Sequence, residues 1–148
     1  SVSFLSHASG NTSSRNTRAG ILASSSCIVV DNTVSENDLH GIEVASNCLV
    51  RGNVLSLNDR AGVSARFGQN RIEGNQAITC GTGFQVSGVR NLIIGNSATL
   101  STVRNYDIAS GNRYGPIIDL TASGAAPALG NSALSTLVTT DPNANFAH

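Results

Sequence analysis

The best polar cluster in this 148-residue chain is Glu36-Asn37-Asp38-Leu39-His40, followed by Leu57-Asn58-Asp59-Arg60. The two runs stand about 21 residues apart, one repeat step of the chain. That step stacks Asn37 over Asn58 and Asp38 over Asp59, placing the two carboxylates about 4.8 Å apart. Carboxylates that close share a proton or attract a cation. Asp38, Asp59, His40, Glu43 and Arg60 are therefore the candidate catalytic set, and Asp38 with Asp59 the candidate calcium site. Asn-Asp is also a frequent turn pair because both side chains cap their own backbone, and this structural explanation is preferred. No cofactor other than calcium is expected.

The remaining reactive residues are isolated. Cys27, Cys48 and Cys80 cannot all pair within one chain, and none has metal-ligand spacing, so neither a disulfide framework nor a zinc site is expected. Cys27 and Cys48 fall at the same inward place one repeat apart and read as buried thiols acting as small hydrophobes. Cys80, before Gly81, would be reactive if exposed. His7 and His148 lie near the ends with no partner inferable from spacing. Tryptophan is absent, leaving Tyr106, Tyr114 and Phe67 as thin substitutes for a sugar-stacking platform.

Charged residues make up only 12% of the chain, the formal net charge is zero, and every basic residue is arginine. A nucleic-acid or anionic-membrane surface needs an excess of positive charge and is not expected. The apolar runs, such as Cys27-Ile28-Val29-Val30 and Leu92-Ile93-Ile94, fall far short of the roughly 18 residues of a membrane span. The start lacks the charged-then-apolar pattern of a signal peptide.

What must position these groups is a repeat. Gly20-Ile21-Leu22-Ala23, Gly41-Ile42-Glu43-Val44, Gly62-Val63-Ser64-Ala65 and Gly83-Phe84-Gln85-Val86 begin successive units, and Asp107-Ile108-Ala109-Ser110 continues the series. A second run in each unit ends on Asn32, Asn53, Asn75 or Asn96. A third, weaker run carries Val34, Leu55, Ala77 or Ala98. Three short strand-like runs per unit, separated by Gly, Asn and Ser and without helical periodicity, describe one turn of a three-sided solenoid.

The alternation assigns the faces. Ile21, Ile42, Val63, Phe84 and Ile108 form one interior column, with Ala23, Val44, Ala65 and Val86 beside it. Val29, Val50, Ile72 and Ile93 fill the second sheet, and Val34, Leu55, Ala77 and Ala98 the third. Asn32, Asn53, Asn75 and Asn96 stand at the corner after the second strand, where asparagine tolerates left-handed backbone angles, and their amides form a coil-to-coil ladder.

The glycine-led coils, inward Ile/Val columns and Asn corners resemble the right-handed parallel β-helix superfamily of pectate lyases, polygalacturonases, phage tailspikes and copper-accessory periplasmic repeat proteins. The resemblance covers roughly residues 20 to 120. It implies an all-β, right-handed parallel β-helix of about five coils in a secreted or cell-surface protein, and it leaves function open between structural modules and carbohydrate-active lyases or hydrolases. The ending Thr140-Asp141-Pro142-Asn143-Ala144-Asn145-Phe146 resembles the Asp-Pro-x-Ala-Asn-Phe tails of some uncharacterised bacterial β-helix proteins.

Three regions follow: an irregular N-terminal coil or cap over 1–19, with Val2, Phe4 and Leu5 as its apolar residues; the coils over 20–120; and a C-terminal cap or oligomerisation tail over 121–148, carrying Leu134, Leu137, Val138 and Phe146. On the second sheet Ile28, Leu49, Arg71 and Leu92 point outward beside Val30, Arg51, Glu73 and Ile94, with Arg51 and Glu73 expected to pair. Ile28, Val30, Leu49, Leu92 and Ile94 make an apolar outward patch that the tail or a second copy should cover. With Phe146 they are the expected interface of a homo-oligomer, a trimer by analogy with tailspikes. Carbohydrate is the other expected partner, as a ligand or an enzyme substrate; nucleic acid and membrane are not.

Overall fold

Strands this short cannot bury a face alone, so the chain must stack them coil upon coil. The computed structural model describes residues 5–121 and 139–148; Val2, Phe4, Leu134, Leu137 and Val138 lie outside the described residues. The chain starts with β1 (His7–Ser9) and β2 (Thr12–Ser14), and the next coil is β3 (Ile21–Ala23), β4 (Ile28–Val30) and β5 (Thr33–Ser35). Then come β6 (Ile42–Val44), β7 (Leu49–Arg51) and β8 (Val54–Ser56), and β9 (Ala61–Ala65), β10 (Arg71–Glu73) and β11 (Gln76–Ile78). β12 (Thr82–Val86), β13 (Leu92–Ile94) and β14 (Ser97–Thr99) precede β15 (Arg104–Ile108), β16 (Arg113–Tyr114) and β17 (Ile117–Asp119), and β18 (Asn145–Ala147) comes last.

Among the described residues every pairing is parallel and joins equivalent strands of neighbouring coils, which is a parallel β-helix. The first sheet has the order β15-β12-β9-β6-β3, the second β1-β4-β7-β10-β13-β16, and the third β17-β18-β14-β11-β8-β5-β2. Val29, Val50, Ile72 and Ile93 are wholly buried in the second sheet, and Val34, Leu55, Ala77 and Ala98 in the third, as the alternation requires. The interior is a filled rod of stacked aliphatic columns.

One column differs from expectation. Phe84 pairs in register with Tyr106, and Val86 with Ile108, so Tyr106 ends the first interior column and Ile108 the neighbouring one. The glycine that marks the earlier coils is replaced by Asn105, and without it the fifth strand is misregistered by two residues. A slip of two keeps the same face of a strand, which is why Ile108 still points inward. Tyr106 stacks on Phe84 with ring centroids 5.3 Å apart, and its hydroxyl lies 2.8 Å from Asn96 O and 2.9 Å from Phe146 O. Burial pushes that phenol well above its ordinary range. It serves the core and offers no outward platform for a sugar.

The Asn ladder is present with a different backbone logic. Asn32 N–H donates to Asn53 Oδ1 (3.0 Å), Asn53 N–H to Asn75 Oδ1 (3.0 Å) and Asn75 N–H to Asn96 Oδ1 (3.0 Å). The left-handed residues are the ones before them, Asp31 (φ 56°), Gly52 (φ 65°), Gly74 (φ 60°) and Gly95 (φ 62°). The preceding residue makes the bend, which leaves the asparagine with its N–H along the coil axis and its amide turned inward.

All three corners use this device. Asn16, Asn37 and Asn58 form a second ladder between the third and first sheets, and Asn70, Asn91 and Asn112 a third between the first and second. The described C-terminal residues join the same scheme: β18 lies between β14 and β17 in the third sheet, and Asn145 accepts the Asn96 N–H (3.0 Å) as the next rung.

Candidate functional site

The turn holding Asp38 and Asp59 is stacked on its neighbours through asparagine and backbone hydrogen bonds. Asn37 and Asn58 are buried rungs of the second ladder, while Asp38 and Asp59 are exposed. Their backbones continue the stack, Asp38 N–H donating to Asn16 O and Asp59 N–H to Asn37 O. Among the described residues no three His, Cys, Asp or Glu side chains converge as metal ligands.

His40, Glu43 and Arg60 come together elsewhere, in a groove of about 450 Å³ on the outer side of the first sheet, with neither aspartate among its lining residues. The in-register outward positions Leu22, Glu43, Ser64 and Gln85 make its floor. Arg18, Leu39 and Arg60 stand two residues before the glycines that open successive first-sheet strands and form one wall; Arg66 flanks the other side. Glu43 is held by Arg66 at 2.8 Å. His40 Nδ1 accepts the Ala61 N–H at 3.2 Å, which leaves the neutral-ring proton on Nε2. Burial, with Arg60 and Arg66 adding to it and Glu43 opposing, lowers the His40 pKa below its ordinary value. Sequence reasoning missed Arg18 and Arg66; the repeat step carries Arg18 through Leu39 to Arg60 and was the available signal for the first of them.

The cysteines occupy ladder positions. Cys27 and Cys48 are the first rungs of the column that continues as Asn70, Asn91 and Asn112: Cys27 N–H donates to Cys48 Sγ (3.4 Å) and Cys48 N–H to Asn70 Oδ1 (2.9 Å). Both are buried and outside any disulfide. The Cys48 thiol lies 3.0 Å from Ser24 O, and burial raises its pKa. Ser24, Ser25, Ser26 and Ser46 surround the pair at intermediate exposure. Cys80 is fully buried, not an exposed reactive thiol, and it continues the second ladder under Asn58 Nδ2 (3.8 Å); burial raises its pKa as well.

The second-sheet face keeps its expected register, with Ile28, Leu49, Arg71 and Leu92 in one outward row. Ile28 is 42% exposed, Leu49, Leu92 and Ile94 are half-buried, and Val30 is buried. Glu73 pairs with Arg71 of its own strand and not with Arg51, because residues two apart on a strand share a face. Phe146 lies in β18 on the third sheet, away from this row. His148, at the chain end, hydrogen-bonds the hydroxyls of Ser97 and Thr99.

A family model described as periplasmic copper-binding protein (NosD) matches residues 3–118. No curated protein and no solved structure matches the chain. The family's description is in keeping with the expected location outside the cytoplasm. It also overturns the expectation of no cofactor beyond calcium: the metal in the family's description is copper, a softer ion than acidic turns select. The donors available here fit that ion in one way. The chain has no methionine, and the soft donors that lie together are the thiols of Cys27 and Cys48, a pair suited to two-coordinate copper(I).

Proposed function

The chain belongs to the NosD family of periplasmic copper-binding proteins, and we propose that it is a non-catalytic β-helical module that contributes a two-thiol copper(I) site on a rigid scaffold. The observation that carries this reading is the stacking of Cys27 on Cys48 at a ladder position that Asn fills in the later coils. Sulfur is a weaker acceptor than an amide oxygen, so the ladder gains nothing from cysteine there. Thiolates select copper(I) over harder ions. Burial raises the pKa of the Cys48 thiol, and a thiol must lose its proton to bind the metal, so loading strengthens as pH rises. The bound ion would bring a soft, exchangeable monovalent charge; the chain's own part is to hold two sulfurs at coil spacing and shield them behind a rim of serines.

The test is an anaerobic titration of reduced protein with copper(I) against a chromophoric chelator. One equivalent should be withdrawn by the wild type and by Cys80→Ser. Cys48→Asn, which keeps a residue the ladder already uses, should withdraw none. A wild type that leaves all copper(I) on the chelator would refute the reading.

A second reading, self-association as a trimer through the second-sheet face, draws on the exposed Ile28 and its half-buried neighbours Leu49 and Leu92. It concerns a different face and is compatible with the first.

A further inference from the structure

The groove over the first sheet has no part in the thiol reading, and its charges are out of balance. Arg18, Arg60 and Arg66 face a single carboxylate, Glu43, and Arg66 already neutralises it at 2.8 Å. Arg18 and Arg60 have no acidic partner among the described residues. Their backbone positions are two coils, about 10 Å, apart along one wall, a span that two arginine side chains can close around one small ligand.

On the floor of Arg60's own coil lies Ser64, only 3% exposed although its side chain points outward, and Glu43 holds the floor of the coil between the two arginines. Its hydroxyl makes no hydrogen bond among the described residues and stays open to the groove. A hydroxyl that lines the groove without a protein partner is free to bond a ligand there. His40 adds a donor of fixed sense, since its Nδ1 is occupied by the Ala61 N–H and the proton is carried by Nε2. Leu22 and Leu39 supply apolar surface on the same lining.

From this juxtaposition we propose that the first-sheet groove is a binding site for a small oxyanion of two or more negative charges, held by Arg18 and Arg60 with the Ser64 hydroxyl beside Arg60. Guanidinium groups pair with carboxylate and phosphate oxygens through parallel hydrogen bonds. A small organic acid and a phosphate present the same charged oxygens, and the volume of about 450 Å³ admits either. The site is independent of Cys27 and Cys48 and lies on a different wall of the helix.

Titration calorimetry at low ionic strength, with citrate and inorganic phosphate as separate probes, tests the proposal. Saturable one-to-one binding of either probe supports it, and the tighter probe names the ligand class. Arg18→Gln combined with Arg60→Gln should weaken binding by about tenfold or more, and Ser64→Ala by a smaller factor. Cys48→Asn should leave binding unchanged. Both arginines are exposed, so the variant's thermal midpoint should match the wild type and separate lost binding from lost fold. No saturable binding of either probe, or binding that survives the double substitution, overturns the proposal.

Discussion

Asparagine side chains do the work at the corners that glycine or water does in other turns. Asn75 accepts from Asn53 N–H and Nδ2, and donates to Val50 O and Asn96 Oδ1, so all four of its amide bonds are internal. Asn75→Ala would orphan the Asn53 N–H and take one partner from the Val50 carbonyl in a site closed to water, while Asn53 Nδ2 keeps Val29 O and Arg51 O. The expected loss is about 3 kcal/mol, read by urea denaturation, and a loss under 1 kcal/mol would deny the ladder its structural role. His40 gives the corner beside the groove a pH signature. Its folded pKa lies below the ordinary value of 6.5, so the unfolded chain takes up the proton first as pH falls. The stability His40 contributes is present above 6.5 and is lost as pH drops through the lowered folded value. The urea midpoint should fall between pH 7.5 and 5, and His40→Gln should flatten that dependence; an unchanged slope would count against the assignment.

The strand elements are held at their pitch by the glycines that open the first-sheet runs. A Cβ on Gly62 would sit 2.8 Å from Gly83 O and 3.0 Å from the Ala77 Cβ, and one on Gly41 2.8 Å from Gly62 O. The repeat therefore needs glycine for close approach of coil to coil and not for an unusual φ. Gly62→Ala must push two coils apart, with an expected cost of about 2 kcal/mol in chemical denaturation. The same substitution at Gly74, where a Cβ meets nothing within 4 Å, carries only the cost of a positive φ, about 1 kcal/mol. The corners accept such angles in larger residues too, Leu57 (φ 54°) and Leu100 (φ 52°) among them. After Leu57 the Asn58 rung supplies stacked hydrogen bonds that offset the local strain.

For the molecule as a whole, self-association would rest on one row of side chains. If the second-sheet face is an interface, light scattering should give a mass above the 15.2 kDa of one chain, and Ile28→Asp should return it to that value. A monomer at all concentrations would remove the self-association reading and leave the thiol and groove sites untouched. The solenoid itself was legible in the sequence because each coil repeats the same local solution: glycine before the first strand, alternating aliphatics, asparagine at the bend. Period alone placed Val29 on Val50 and Cys27 beside Cys48. It also stacked Asp38 on Asp59, but could not tell that their asparagine neighbours turn inward while the carboxylates turn to water, since that depends on which corner residue takes the left-handed angle. Sequence thus determined the coil, its interior columns and the face of each strand residue, all properties of a chain pairing with its own next repeat. Tertiary structure decided what the period does not carry: Asn145 entering the third sheet 49 residues after Asn96, the Tyr106 hydroxyl reaching Asn96 O and Phe146 O, and Arg66 reaching Glu43 across the groove. Those contacts join residues from different coils and lengths of chain, where distance along the sequence says nothing of distance in space.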